Sequence, residues 1–299
     1  MGLNMKLVLT IPAYNESKSI EKVISEVKSV LSTTSCHSEI LVIDDGSTDN
    51  TASLARSAGA KVYSHPKNYG LAETFKTEMQ KALEMGPDVI VHFDADGQYM
   101  AKDIPRLLKE IENGSDLVLG SRFLGKIESM PMIKRIGNKL FSRVISNVTG
   151  QKITDGQTGF RAFKKEVAEK IPITSNHTYT QEQIIRAVKA KFRVTEVPVY
   201  FAKRRFGSSR LMSNPFSYAA RAWINLMRIY RDYEPLKFFG IIGLSFFGIG
   251  FLLGLFIFYS FITTGAVGGL PRVMLCILLM SMGIQIAIFG FLADMMTKG

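Results

Sequence analysis

VIVHFDADGQ, Val89–Gln98, decides how the chain reads. The apolar run Val89–Phe93 has the length and β-branched content of a buried strand, and it stops at a polar turn. The pattern repeats on both sides. Upstream, strands are expected at Lys6–Ile11, Glu39–Ile43 and Lys61–Ser64, alternating with helices at Ser17–Leu31, Ala52–Ala58 and Leu71–Glu84. In the first helix Ile20, Val23, Ile24, Val27, Val30 and Leu31 follow the 3.6-residue period. Downstream come helices at Ile104–Glu112, Ile133–Val148 and Gln181–Lys191, with strands at Asp116–Leu119 and Phe192–Tyr200. Alternation of this kind predicts an α/β fold, a mostly parallel sheet with helices on both faces. Ligands of such sheets bind at the carboxyl ends of the strands. PAYNE (Pro12–Glu16), DDGS (Asp44–Ser47) and DADGQ (Asp94–Gln98) all fall there.

The 299 residues are 46% hydrophobic and 21% charged, which excludes a disordered chain. Formal net charge is +11, which points to an anionic partner: nucleic acid, membrane or phosphorylated substrate. Cys36 and Cys276 form no disulfide framework, so a reducing compartment is expected. Apolar residues concentrate at the end. Leu236–Phe261 carries one charge, Lys237, and Val273–Ala293 carries none. A bilayer core of about 30 Å needs about 20 apolar residues of helix, so both stretches qualify as spans. The competing reading, a buried hairpin of a soluble core, lacks the polar stripe such helices carry. Three parts are expected: a catalytic domain at 1–212, an amphipathic interfacial helix at 213–235, and a transmembrane hairpin at 236–299. The helix Pro215–Glu234 mixes Trp223 and four other aromatics with Arg221, Arg228 and Arg231, which suits either a headgroup layer or ordinary packing. No signal peptide precedes the first strand, and Glu196–Pro235 holds seven Lys/Arg against three Asp/Glu. Both features predict a cytosolic catalytic domain and a multi-pass protein of the cell or endoplasmic reticulum membrane.

Asp94 and Asp96 are two apart, which in extended chain puts both carboxylates on one side. Two close carboxylates repel unless a cation lies between them, and Gln98 adds a third oxygen. This oxygen-only set suits Mg²⁺ or Mn²⁺ completed by phosphates and water, although DxD by itself also occurs in solvated turns. Asp44 and Asp45 could hold a nucleotide hydroxyl, cap the next helix, or do both. Arg122 follows one strand end, and Arg204, Arg205 and Arg210 lie in a basic loop suited either to phosphates or to anionic lipid.

PAYNES, ILVIDDGSTDNT, NYGLAET, HFDADGQY, LGSRF, DGQTGFRAF, EVPVYF and RRFGSSRL occur in this order. Together they resemble family-2 glycosyltransferases of the GT-A fold, and more narrowly the polyprenyl-phosphate glycosyltransferases of the dolichol-phosphate mannose synthase group. The resemblance spans about Lys6–Leu211. It implies nucleotide-sugar contacts at Pro12, Tyr14, Glu16, Val42, Asp44, Asp94, Ala95, Asp96, Arg122, Arg204 and Arg210. It implies a divalent metal at Asp94, Asp96 and Gln98, and catalytic roles for Asp94, Asp96 and Arg122. Arg122, Arg135, Asn138, Lys139 and Arg204 are the candidates for the acceptor phosphate. Lys203 stands where the family often has Asp, and Gln183 and Arg186 precede Ala187 rather than the Trp of processive synthases.

The expected reaction is transfer with inversion of a hexose from a nucleotide sugar to a polyprenyl phosphate, with GDP-mannose the preferred donor. UDP-glucose and UDP-N-acetylglucosamine are the alternatives, as is a non-catalytic membrane adaptor. A phosphate acceptor, with its second pKa near 6, is already largely dianionic and needs no general base. No nucleic-acid module is present, so the membrane and two phosphorylated substrates account for the positive charge. A homo-oligomer is left open.

Overall fold

The computed structural model describes residues 5–175, 179–204, 215–267 and 269–298. It divides into two compact units, Met1–Ser213 and Asn214–Gly299.

The first unit is built on a sheet that has seven strands among the described residues. They are β1 (Lys6–Ala13), β2 (His37–Asp44), β3 (Lys61–Ser64), β4 (Val89–His92), β5 (Leu117–Ser121), β6 (Arg161–Lys164) and β7 (Val194–Pro198), in the spatial order 3-2-1-4-6-5-7. Between them run α1 (Ile20–Leu31), α2 (Thr51–Ser57), α3 (Leu71–Glu84), α4 (Ile104–Glu112), α5 (Met132–Thr149), α6 (Lys165–Lys170) and α7 (Thr180–Lys189). β1 lies between two parallel neighbours, which explains its near-continuous apolar run, buried on both faces. α1 turns Ile20, Val23, Ile24, Val27 and Leu31 inward, and α4 does the same with Ile104, Leu107, Leu108 and Ile111.

The sheet is mixed. β6 runs antiparallel to both β4 and β5, while the other neighbouring pairs are parallel. The sequence pattern gives no element here, because RAFK places only two apolar residues between charged ends. The antiparallel strand carries the DGQTGF segment (155–160) up to the carboxyl end of β4, where the parallel strands already deliver their loops.

In the second unit, α8 (Pro215–Tyr233) precedes α9 (Pro235–Thr264) and α10 (Leu270–Lys298). The last two are long and apolar enough to cross a membrane and pack as a hairpin. Small residues allow the close approach. A Cβ on Gly243 would lie 2.6 Å from the Gly283 carbonyl oxygen, and one on Gly283 equally close to that of Gly243. Both helices run beyond the expected spans, so residues 265–269 suffice for the connection.

Candidate active site

The parallel register sets Ala13 opposite Asp44 and Thr10 opposite His92, so the loops after β1, β2 and β4 open side by side. Two of these loops are tied together. Asn15 adopts φ +53, its backbone N–H donates to Ser47 Oγ at 2.9 Å, and its Oδ1 accepts the Thr48 N–H at 2.8 Å. The Glu16 N–H donates to Thr51 Oγ1 at 2.8 Å.

The aspartates of DDGS have separate tasks. Asp45 is consumed by the fold: it pairs with His65 Nδ1 at 2.8 Å and accepts the N–H groups of Tyr69 and Gly70, each at 2.9 Å. Asp44, at the tip of β2, accepts only the Ser47 N–H, at 3.1 Å, among the described contacts. Val42 is fully buried in mid-strand between Ile11 and Val62, two residues before the strand tip at Asp44. Ala95 is also buried, whereas Pro12 and Tyr14 are half-buried at the loop mouth.

Asp94 and Asp96 are brought together by a turn. The strand ends at His92, and Gly97 at φ +68 folds the chain back so that the Gln98 N–H donates to Asp96 Oδ1 at 3.0 Å. The expectation of an extended DAD segment is therefore corrected. Burial, and then the neighbouring Asp94 charge, push the Asp96 carboxyl up to about 6. Gln98 Nε2 donates to the Ala202 carbonyl at 3.1 Å. Asp94 lies against Gly159, where a Cβ would come 2.7 Å from Oδ2 and 2.8 Å from Oδ1.

Cations surround this pair. Arg204 Nη2 sits 3.2 Å from Asp96 Oδ2 and 3.5 Å from Glu16 Oε1, bridging the loops after β1 and β4. Arg122, 5% exposed, is gripped bidentately by Asp155 at 2.7 and 2.8 Å and lies over the Phe201 ring. Glu196 accepts the Thr154 and Asp155 N–H groups and so positions that clamp. Arg122 is thus a fixed charge in the wall, with two of its nitrogens spent on Asp155. Arg210 lies outside the described residues.

α5 sorts the candidate acceptor residues by exposure. Arg135 and Lys139 point to solvent, and Lys139 leans over Phe123. Lys134 is the residue turned inward. Burial first, and then Arg122, lower its pKa, while Asp96 and Asp94 favour its charge. Asn138, one turn on, is 1% exposed, and its Oδ1 has no hydrogen-bond partner. The 3.6-residue period puts Lys134, Asn138, Phe141 and Ser142 on one face of α5 and Arg135, Lys139 and Arg143 on the exposed side. Asp155, Thr158 and Gly159 were visible only as parts of DGQTGF, with no role assigned.

Among the described residues, no three His, Cys, Asp or Glu side chains converge as a closed metal cage. Asp94, Asp96 and Gln98 carry oxygen donors within one turn, and Asp96 is raised first by burial and then by the neighbouring Asp94 charge. These residues fit a hard divalent cation that takes its remaining ligands from phosphate and water.

Strand-end carboxylates ringed by arginine and lysine, on a sheet with one antiparallel strand, are the plan of a GT-A glycosyltransferase. Glucosyl-3-phosphoglycerate synthase from Mycobacterium tuberculosis, solved with Mn²⁺, UDP and phosphoglyceric acid, shares the fold. It superposes with TM-score 0.58 at 18% identity, over 74% of this chain and 78% of that one. A family model described as glycosyl transferase family 2 matches residues 9–172, and the chain belongs to that family. A dolichyl-phosphate hexose transferase of Haloferax volcanii is 30% identical over 75% of this chain and 93% of its own length. A dolichol-phosphate mannosyltransferase of Pyrococcus furiosus is 31% identical over 81% of this chain and 69% of its own.

Proposed function

We propose that this glycosyltransferase moves a hexose from a nucleotide sugar to a polyprenyl phosphate at the cytosolic face of a membrane. The observation that carries the reading is the layout of charge. One carboxylate pair, Asp94 and Asp96, is faced by three cations from three separate segments: Arg122, Lys134 and Arg204. Such a site holds two anionic reactants against each other. The names of the relatives above support a lipid phosphate as acceptor.

Pro12, Tyr14, Glu16 and Asp44 receive the nucleoside, and Arg204 leaves its carboxylate partners to meet the diphosphate. Lys134 receives the acceptor phosphate, with Arg122 behind it. The phosphate dianion attacks the anomeric carbon, the nucleoside diphosphate departs from the opposite face, and no proton has to be removed. A divalent cation at Asp94, Asp96 and Gln98 would neutralise charge on the leaving diphosphate. α5 exposes Met132, Ile133, Ile136 and Leu140 beside Arg135 and Lys139, an apolar and basic surface suited to a headgroup layer. With α9 and α10 as spans and the positive flank inside, the protein is a multi-pass component of the cell or endoplasmic reticulum membrane. GDP-mannose is the favoured donor, before UDP-glucose and UDP-N-acetylglucosamine.

The anomeric configuration of the lipid product, read by NMR, tests the mechanism. Inversion relative to the donor is expected, and retention would refute direct displacement.

A further inference from the structure

Beneath Asp94 lies a buried polar chain that the transfer chemistry leaves unused. His92, the last residue of β4, is fully buried. Its Nδ1 is 2.7 Å from Glu78 Oε2 of α3, and Thr10 Oγ1 donates to the same oxygen at 3.2 Å. Its Nε2 faces two oxygens, the Tyr179 hydroxyl at 2.7 Å and Asp94 Oδ1 at 3.6 Å. The Phe75 ring stacks on Tyr179 at 3.9 Å and presents its edge to His92 at 5.4 Å, so packing locks the imidazole plane. Arg161, also fully buried, lies over the other partner ring, Tyr179, at 5.1 Å.

Apolar side chains of the same volume would fill this space more cheaply, because burying a His–Glu pair carries a desolvation cost. The cost here is incompletely offset, since Glu78 Oε1 has no hydrogen-bond partner. At its Nε2 end the pair meets the Tyr179 hydroxyl and, at 3.6 Å, a carboxylate of the site. Asp94 is held on its other side by the bare Cα of Gly159.

We propose that His92 is a positioning residue for Asp94: Glu78 and the packed Phe75 and Tyr179 rings orient the imidazole, and the imidazole fixes the direction in which the Asp94 carboxylate faces. The inference rests on the reading of Asp94 as part of the metal and donor site.

The test titrates Mn²⁺ into the full chain in detergent with GDP or UDP present, following free Mn²⁺ by electron paramagnetic resonance. Melting temperatures and the donor KM and kcat are measured in parallel. His92→Asn keeps a donor toward Glu78 and loses the Nε2 position; His92→Gln keeps a donor at the Nε2 position. The Asn variant should bind Mn²⁺ about 10-fold more weakly, as loss of an outer-shell partner does, and Gln should recover most of the affinity. In an Asp94→Asn background, His92→Asn should change affinity by less than about 2-fold, because coupled residues are not additive. Equal losses in both backgrounds, or Asn and Gln behaving alike, overturn the proposal. Tyr179→Phe keeps the ring stack and removes the competing hydroxyl, so it should bind Mn²⁺ at least as tightly as wild type. A 10-fold loss there, at unchanged melting temperature, would assign the role to the hydroxyl and overturn the proposal. Wild type that fails to bind Mn²⁺ with either nucleotide would instead refute the metal reading itself.

Discussion

Gly159→Ala should leave the fold intact and slow the reaction about 10- to 100-fold. Gly159 does not occupy the left-handed region, so alanine is acceptable to the backbone there. The nearest conflict is with Asp94: an added methyl lies 2.7 Å from Oδ2, 2.8 Å from Oδ1 and 3.0 Å from Cγ. Ordinary contact begins at 3.4 Å, so the carboxylate must move by about 0.7 Å. His92 blocks one retreat at 3.6 Å, and the 34% exposed Asp94 side chain yields toward the open mouth of the site. That freedom keeps the overpacking cost below about 1 kcal/mol, under the usual range for a closed core. A misplacement approaching 1 Å can cost about 100-fold in rate. Lipid-linked product is measured as kcat and donor KM, with the melting temperature as control. Wild-type kcat in Gly159→Ala would refute the claim that the Asp94 position governs transfer. A melting temperature lowered by more than about 8 °C would show instead that the strain spreads into the fold.

Lys134→Ala should raise the acceptor KM about 10-fold or more, the usual weight of a charged hydrogen bond, while Arg135→Ala and Lys139→Ala stay within about 3-fold. A larger loss at Lys139 than at Lys134 would reverse the reading of α5. Asp155→Asn leaves the buried Arg122 guanidinium without its bidentate partner and should destabilise the protein by about 3–5 kcal/mol in denaturant unfolding. Unchanged stability would show that Arg122 is not held by this pair. Asp116 is raised by burial but held below the usual carboxylate range by Lys164, with the Arg193 N–H adding to the effect. Its contribution is present above about pH 4 and lost as the pH falls further, so Asp116→Asn should be less stable by under about 1 kcal/mol at neutral pH and converge with wild type in acid. A gap that persists at pH 3 would contradict the assignment.

Most of the sheet was legible because its parallel strands are buried on both faces and read as apolar runs ending at polar turns. β6 was not, since RAFK has charged residues at both ends and an antiparallel insertion leaves no local mark. DADGQ is legible by residue type, but the strand ends at His92 and the aspartates lie in the turn beyond it, where strand alternation does not apply. The inward turn of Lys134 follows from the helical period of α5 once Phe141 and Ser142 are known to be buried. The clamp of Asp155 on Arg122, 33 residues apart, and the Glu78–His92–Tyr179 chain are tertiary contacts between segments whose own sequences give no hint of pairing.

The most direct test is transfer itself. The purified chain is incubated with Mg²⁺ or Mn²⁺, a polyprenyl phosphate and each radiolabelled nucleotide sugar, and label is followed into organic solvent. Metal-dependent label in the lipid phase, from GDP-mannose before the UDP sugars, is the result expected. Folded protein that leaves all label in the aqueous phase with every donor would contradict the lipid-phosphate acceptor on which the reading depends.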